Sequence, residues 1–382
     1  MRRLLVLLLV TQLAGCGAFN RFFSTSTPHD PAKLTPFTAT LGVKLLWRAE
    51  VSGAQSYFFS PALAGPNVYV AGADGMVEGL SIVTGAKVWS TNVGDKLAAG
   101  VGADSDTIAV ATVGGDVIAL GLDGKPRFRV RTGGEVLSAP AVGDGVIVAR
   151  TTDGRLLAFN SETGERRWVY TRPSEPLVLR TPSGMIISNG VLYAGLAGGR
   201  LVALSTSNGA VRWEVPVAFP KGATELERVT DVVGTPSLGG GEICAASFQG
   251  RAGCFDAERG NSSWTRDIST SSGLGIDPTN AYVTDEKSIV QALSRVSGAS
   301  VWKNDQLLYR QAGVPIPVGA AVVLGDYKGF VHWLSRDTGK LMARMSTDGS
   351  PIEVAPVVLD ALPEPAILVQ TRDGGLFAFG QM

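Results

Sequence analysis

One unit is written eight times along this chain, and that recurrence constrains the fold more than any other feature. Each copy has a glycine turn, an alternating apolar strand often ending in Ala-Leu or Ala-Phe, a second turn closing on glycine, and a closing residue, usually aromatic. The third copy is the clearest, with Asp153, Gly154, Ala158, Phe159, Thr163, Gly164 and Trp168. The closing residues read as Trp47, Trp89, Phe128, Trp168, Trp213, Trp264, Trp302 and Arg344, at steps of 42, 39, 40, 45, 51, 38 and 42. Such a period accommodates four short strands. The eighth copy begins at Asp373, Gly374, Ala378 and Phe379 and lacks its closing strand, which Gly42 and Trp47 supply from the other terminus. A linear solenoid needs polar capping repeats, whereas a split unit closes a ring. The prediction is therefore all-β: an eight-bladed β-propeller of four-stranded antiparallel blades, closed by an N-terminal strand.

Each recurring residue type has a physical reason. Glycine is 48 of 382 residues, about an eighth of the chain against a usual ~7 %. Asp-Gly and Gly-Gly pairs supply the positive φ of tight hairpin turns. The blade tryptophans are read as structural, each able to bury roughly 200 Å² between neighbouring blades. A second element, seen as Ser60-Pro61, Ala139-Pro140, Thr181-Pro182, Thr235-Pro236 and Ala355-Pro356, falls where the innermost strand of each blade should begin.

Charge removes several functions. Lysine plus arginine equals aspartate plus glutamate, 34 against 34, so no global field draws nucleic acid. Only His29 and His332 are available as imidazole bases or ligands, and no metal site or catalytic constellation is expected.

The N-terminus carries an address. Arg2 and Arg3 precede an apolar run from Leu4 to Val10, too short to span a bilayer, and then Leu13, Ala14, Gly15 and Cys16. That order matches the bacterial lipobox. Residues 1–15 are thus expected to be a lipoprotein signal peptide and Cys16 the lipidated first residue of the mature chain. Gly17, by resemblance to enterobacterial lipoproteins, favours the outer membrane. Residues 16–40, rich in serine, threonine and proline, read as a tether, and 41–382 as the propeller.

The repeat centred on Thr163, Gly164 and Trp168 resembles the tryptophan-docking repeat of pyrroloquinoline-quinone propellers. Two families share it. Quinoprotein dehydrogenases hold quinone and calcium at the propeller centre, usually under a disulfide of adjacent cysteines, and here no two cysteines are adjacent. A quinone-dependent dehydrogenase or quinone-binding propeller is the alternative reading, and a glycan-binding propeller a third. A lipobox, a short tether and an eight-unit propeller together resemble the BamB family of outer-membrane protein assembly factors. That resemblance implies no cofactor and no catalysis. It implies a scaffold that docks on the periplasmic POTRA domains of the barrel subunit BamA, works with the other subunits of that complex, and assists barrel insertion. Direct binding of unfolded barrel clients, including at free sheet edges, is a further expectation.

The family's binding segments carry Leu-x-Leu-Arg and Glu-x-x-Arg-x-x-Asp-Val. Here they match Leu177, Val178, Leu179 and Arg180, and then Glu225, Arg228, Asp231 and Val232, with Val233 and Gly234 where a second acidic residue is expected. Connection lengths point to the same place. From closing aromatic to proline element takes 14 residues at Trp47–Pro61 and at Trp168–Pro182, but 23 at Trp213–Pro236. Inter-blade connections share one face, so segments 173–180 and 216–231 should be neighbours. An apolar Leu177–Leu179 loop there would need a reason for its exposure, and arginine is favoured at interface hot spots. In the competing reading the leucines fold back as strand residues and Arg228 pairs with Glu225. Cys244 and Cys254 lie symmetrically about Gln249 and should face each other across a hairpin, as a disulfide or as two buried thiols.

Overall fold

The computed structural model describes residues 30–173, 175 and 177–382; Cys16 and the leader lie outside the described residues. Among the described residues are 32 strands, β1 (Val43–Glu50) to β32 (Gly375–Gln381), and no α-helix. They form eight four-stranded sheets, seven of them meanders of four consecutive strands. Blade 1 is β2–β5 (62–92), blade 2 β6–β9 (102–131), blade 3 β10–β13 (141–171) and blade 4 β14–β17 (185–216). Blade 5 is β18–β21 (232–267), blade 6 β22–β25 (274–304) and blade 7 β26–β29 (316–346). Blade 8 joins β30–β32 (357–381) to β1 in the order β1-β32-β31-β30, with Val43 opposite Gln381 and Trp47 opposite Ala378. The chain is thus an eight-bladed propeller whose ring closes through its two ends.

Position in the blade dictates composition. The second and third strands are covered on both faces by neighbouring blades, so β3 (Asn67–Ala71) and β4 (Met76–Ser81) are nearly continuously apolar and buried. Outermost strands alternate exposed and partly buried residues, as in β9 (Pro126–Arg131) and β13 (Arg166–Thr171). Their exposed positions carry Arg127, Arg129, Arg131, Arg166 and Arg167, and a register shift precedes the closing residue of each. Charge and bulges are the usual protection of an open sheet edge.

There is no single central core. Eight apolar clusters are found among the described residues, and each bridges two adjacent blades. The closing aromatic of one blade docks on the turn glycine of the next. Trp213 lies over Gly260 and donates from Nε1 to the Ala257 carbonyl at 3.0 Å. Gly260 has φ +75°, and a Cβ there would sit 2.8 Å from the indole, so both backbone conformation and space call for glycine. The same docking joins Trp47 to Gly85, Trp89 to Gly124, Phe128 to Gly164, Trp168 to Gly209, Trp264 to Gly298 and Trp302 to Gly339.

Three sequence expectations need correction. The closing position of blade 7 is Ala343, opposite Trp333, and not Arg344. Large and small residues have exchanged strands because blade 8 has no closing turn to receive a tryptophan: the chain ends meet there, Met382 N donating to Gly42 O at 3.0 Å. Trp333 instead packs edge-on against Phe379, centroids 5.7 Å apart. The second correction is that Pro236 does not start its strand. It lies inside β18 (Val232–Gly239), where pairing is interrupted between Val233 and Ser237, which is how a residue without an N–H is accommodated. The third concerns the stretch before β1, which is laid on blades 6 and 7. Ala32 N donates to Leu308 O at 2.8 Å, Arg310 donates to Ala32 O at 3.1 Å, and Arg344 donates to Thr35 O at 3.2 Å and lies over the Phe37 ring. Chain between 32 and 40 is therefore fastened, where a free tether was expected.

Candidate functional site

Two inter-blade connections meet on one face of the ring, 172–184 between blades 3 and 4 and 217–231 between blades 4 and 5. Asp231 joins them. Its Oδ2 accepts from Leu179 N at 2.6 Å and its Oδ1 from Gly198 N at 3.2 Å, while its own carbonyl accepts from Phe248 N at 2.9 Å. Asp231 is only 5 % exposed. Expected as a partner contact, it is a buried brace that sets the two loops side by side.

The longer loop is built around a single turn of backbone with its own cap. Thr224 Oγ1 accepts from Glu227 N at 3.2 Å, and Glu227 Oε2 accepts from Thr224 N at 3.1 Å and Ala223 N at 2.8 Å, a reciprocal capping arrangement. Those amides hold the Glu227 carboxyl below its ordinary range. Beneath it lies the tip of the hairpin formed by β19 (Glu242–Ser247) and β20 (Arg251–Asp256). Gln249, oriented with its amide nitrogen inward, donates to the carbonyls of Glu227 and Val229. Cys244 and Cys254 are opposite each other in that hairpin and joined by a disulfide.

What the braced loops show to solvent is apolar and cationic. Leu177 and Val178 are exposed and in the coil between β13 and β14, with Leu179 half-buried beside them. Phe219 and Leu226 of the second loop are exposed by 58 % and 71 %, too much for residues with a core role. Arg228 is exposed and has no ion pair among the described residues, Glu225 included, although both line the cleft that also holds Leu177. Arg180 is bidentate to Glu135 of the connection between blades 2 and 3, at 2.7 and 2.9 Å, and that hydrogen-bonded pairing raises its pKa. Three successive connections thus contribute to one surface. Where a second acidic residue was expected, Val233 is buried and Gly234 has φ +67°; a Cβ there would come 2.4 Å from Ser272 O, so no longer side chain fits.

Of the residues the sequence indicated, Leu177 and Arg228 line one cleft and Leu179 is bonded to Asp231, while the Arg180 side chain pairs with Glu135. Phe219, Leu226 and Glu135 were missed. The first two carried a readable signal, large apolar residues in an inserted loop; Glu135 carried none, since only the ring places it against Arg180. Among the described residues no cluster of histidine, cysteine and carboxylates is arranged to hold a metal ion.

A family profile described as outer membrane protein assembly factor BamB matches residues 73–304. The chain is 46 % identical over 350 residues to the protein of that name from Burkholderia pseudomallei, covering 91 % of each. It is 40 % identical to the one from Bordetella pertussis, covering 95 % of this chain and 93 % of the relative. The crystal structure of BamB from Moraxella catarrhalis superposes with a TM-score of 0.81 at 22 % identity, covering 89 % of this chain and all of that one. A quinohemoprotein alcohol dehydrogenase from Pseudomonas putida superposes at 0.71 and 13 % identity over 92 % of this chain and 78 % of the enzyme, which speaks to the shared propeller alone. With the split-blade ring, the docking tryptophans and relatives at this identity over most of its length, the chain belongs to the BamB family of outer-membrane protein assembly factors.

Proposed function

We propose that this protein is a non-catalytic scaffold of the outer-membrane β-barrel assembly machinery. It is held on the periplasmic face of the outer membrane by lipid on Cys16 and docks through its loop face on the POTRA domains of the barrel subunit BamA. The observation that carries the docking reading is the exposure of Leu177, Val178, Phe219 and Leu226 on loops that Asp231 braces, with Arg180 and an Arg228 that has no ion pair among the described residues. Fixed backbone under an exposed apolar patch is costly in solvent and suits a preorganised protein contact. The charged, bulged outer strands make the sheet edges poorer candidates.

The test is binding of the full chain to the purified POTRA region of its own organism, beside a Leu177→Ala, Arg180→Ala double variant that melts normally. Loss of at least about tenfold in affinity is expected for the variant, and equal binding by both would remove the loop face from the reading. Replacement of Cys16 by alanine should release the chain from membranes, and a variant that stays membrane-bound would overturn the anchor.

A further inference from the structure

Beside Val178 and Leu179 a pocket opens between blades 3 and 4, with Arg150, at the end of β11 (Val146–Arg150), among its lining residues. Its Nη1 donates to Gly195 O at 2.6 Å, and no carboxylate lies within ion-pair distance of the guanidinium among the described residues. Other enclosed arginines of this ring are matched: Arg310 with Asp326 at 2.7 Å, Arg295 with Glu242 at 3.0 Å. Asp231 acts on Arg150 through space, but both its oxygens are taken by the Leu179 and Gly198 amides. Arg172, also lining the pocket, donates to Ala197 O and lies 3.6 Å from Glu214; Glu175 at the rim is the one opposing acid among the pocket residues. The hydroxyls of Ser138 and Thr181 and the apolar side chains of Val178 and Leu196 line the pocket with Arg150, while the Thr151 hydroxyl is spent on Asp153 and the Arg155 carbonyl.

A partly buried cation with no carboxylate hydrogen-bonded to it carries a desolvation cost that an incoming anion would relieve. Burial, partly offset by the field of Asp231, draws the Arg150 pKa down to about 10, which leaves it charged at neutral pH. We propose that this pocket is a carboxylate receptor, in which Arg150 and the neighbouring hydroxyls bind an acidic group presented on an extended apolar segment of the docked protein. The inference rests on the docking reading of the loop face and names the chemistry of what enters beside it. A carboxylate meets a planar fork of N–H donors in a geometry that lysine does not offer, and the apolar walls take the residues on either side.

The experiment uses the full-length protein and three short probe peptides: an end-blocked apolar peptide with one central glutamate, its glutamine counterpart, and an apolar peptide with a free C-terminus. Affinity is followed by titration and the Arg150 Nε resonance by NMR. The glutamate peptide is expected to bind about tenfold or more tightly than the glutamine peptide and to move that resonance. Arg150→Gln should erase the discrimination, and Arg150→Lys should restore part of it. Preference for the free C-terminus over the glutamate peptide assigns the pocket to a chain end and overturns the side-chain form of the proposal. Equal binding of the glutamate and glutamine peptides, an unmoved Nε resonance at saturation, or discrimination that survives in Arg150→Gln overturns it entirely. Docking of the POTRA region is measured separately with the Leu177→Ala, Arg180→Ala variant. Undisturbed docking there with intact peptide discrimination defeats the docking reading alone, while lost docking without discrimination defeats the pocket alone.

Discussion

An indole over a glycine, with one hydrogen bond to the next blade, is the joint repeated around this ring. The bond is made by Trp47 to Ile82 O, Trp89 to Leu122 O, Trp168 to Thr206 O, Trp213 to Ala257 O, Trp264 to Arg295 O and Trp302 to Arg336 O, at 2.7–3.0 Å. Phe128 keeps the contact with Gly164 and, having no ring N–H, forgoes the bond. Phe128→Trp should therefore stabilise the chain by about 1 kcal/mol, the usual net value of one such bond, read as a higher urea midpoint at unchanged slope. An unchanged or lower midpoint would mean that the seam between blades 2 and 3 has no room for the larger ring. This joint was legible from spacing alone, because a tryptophan four residues after a glycine recurs with the blade period. The swap in blade 7 was not: Trp333 and Ala343 are ten positions apart and meet only through strand pairing.

Among the elements, the β19–β20 hairpin and the N-terminal strap carry the sharpest consequences. The disulfide spans 10 residues and holds the hairpin whose tip carries the 217–231 loop. Closing a loop of that length removes about 3 kcal/mol of chain entropy from the unfolded state, so reduction should lower the free energy of unfolding by about 2–3 kcal/mol in denaturant titrations. A Cys244→Ala, Cys254→Ala variant should show no such response to reductant. The strap depends on a buried chain of groups. Arg310 and His332 both meet Asp326 Oδ2, at 2.7 and 3.0 Å, and Arg344 donates to His332 Nδ1 at 3.3 Å. Burial lowers the His332 pKa, against the opposing pull of Asp326 and with the help of Arg344 and Arg310. Burial works to raise the Asp326 pKa, but His332 and Arg310 hold it below its ordinary value. Because the folded value of His332 lies under the ordinary 6.5, the stability it contributes is complete above that pH. It is lost as pH falls from about 6.5 through the folded value, since protonation favours the unfolded chain. A proton on Nδ1 also removes the acceptor for Arg344. His332→Gln should flatten this dependence of melting temperature on pH. A pH profile identical to the parent's would show that other groups set it.

For the whole molecule, stability is shared among eight seams, and the one closed by β1 depends on pairing residues some 330 positions apart. Trp47→Ala should cost about 3–5 kcal/mol, as for any buried tryptophan, and the same as Trp213→Ala if the closing seam equals an internal one. A smaller loss at Trp47 would mean that the ring tolerates opening there. Blade number, blade period, the split eighth blade and the docking tryptophans were all present in the linear pattern, because each is a local demand: a positive φ, an alternating strand, a large ring at fixed spacing. Arg228 was legible as a type in an inserted loop, and Leu177 and Arg180 as types in the ordinary-length connection before it. That Asp231 is a brace, that Glu135 answers Arg180, that Arg150 has no ion pair among the described residues and that the chain before β1 is strapped to blade 7 could not be read in the same way. Those facts join residues tens to hundreds of positions apart, and their burial and charge balance exist only once the ring has closed around them.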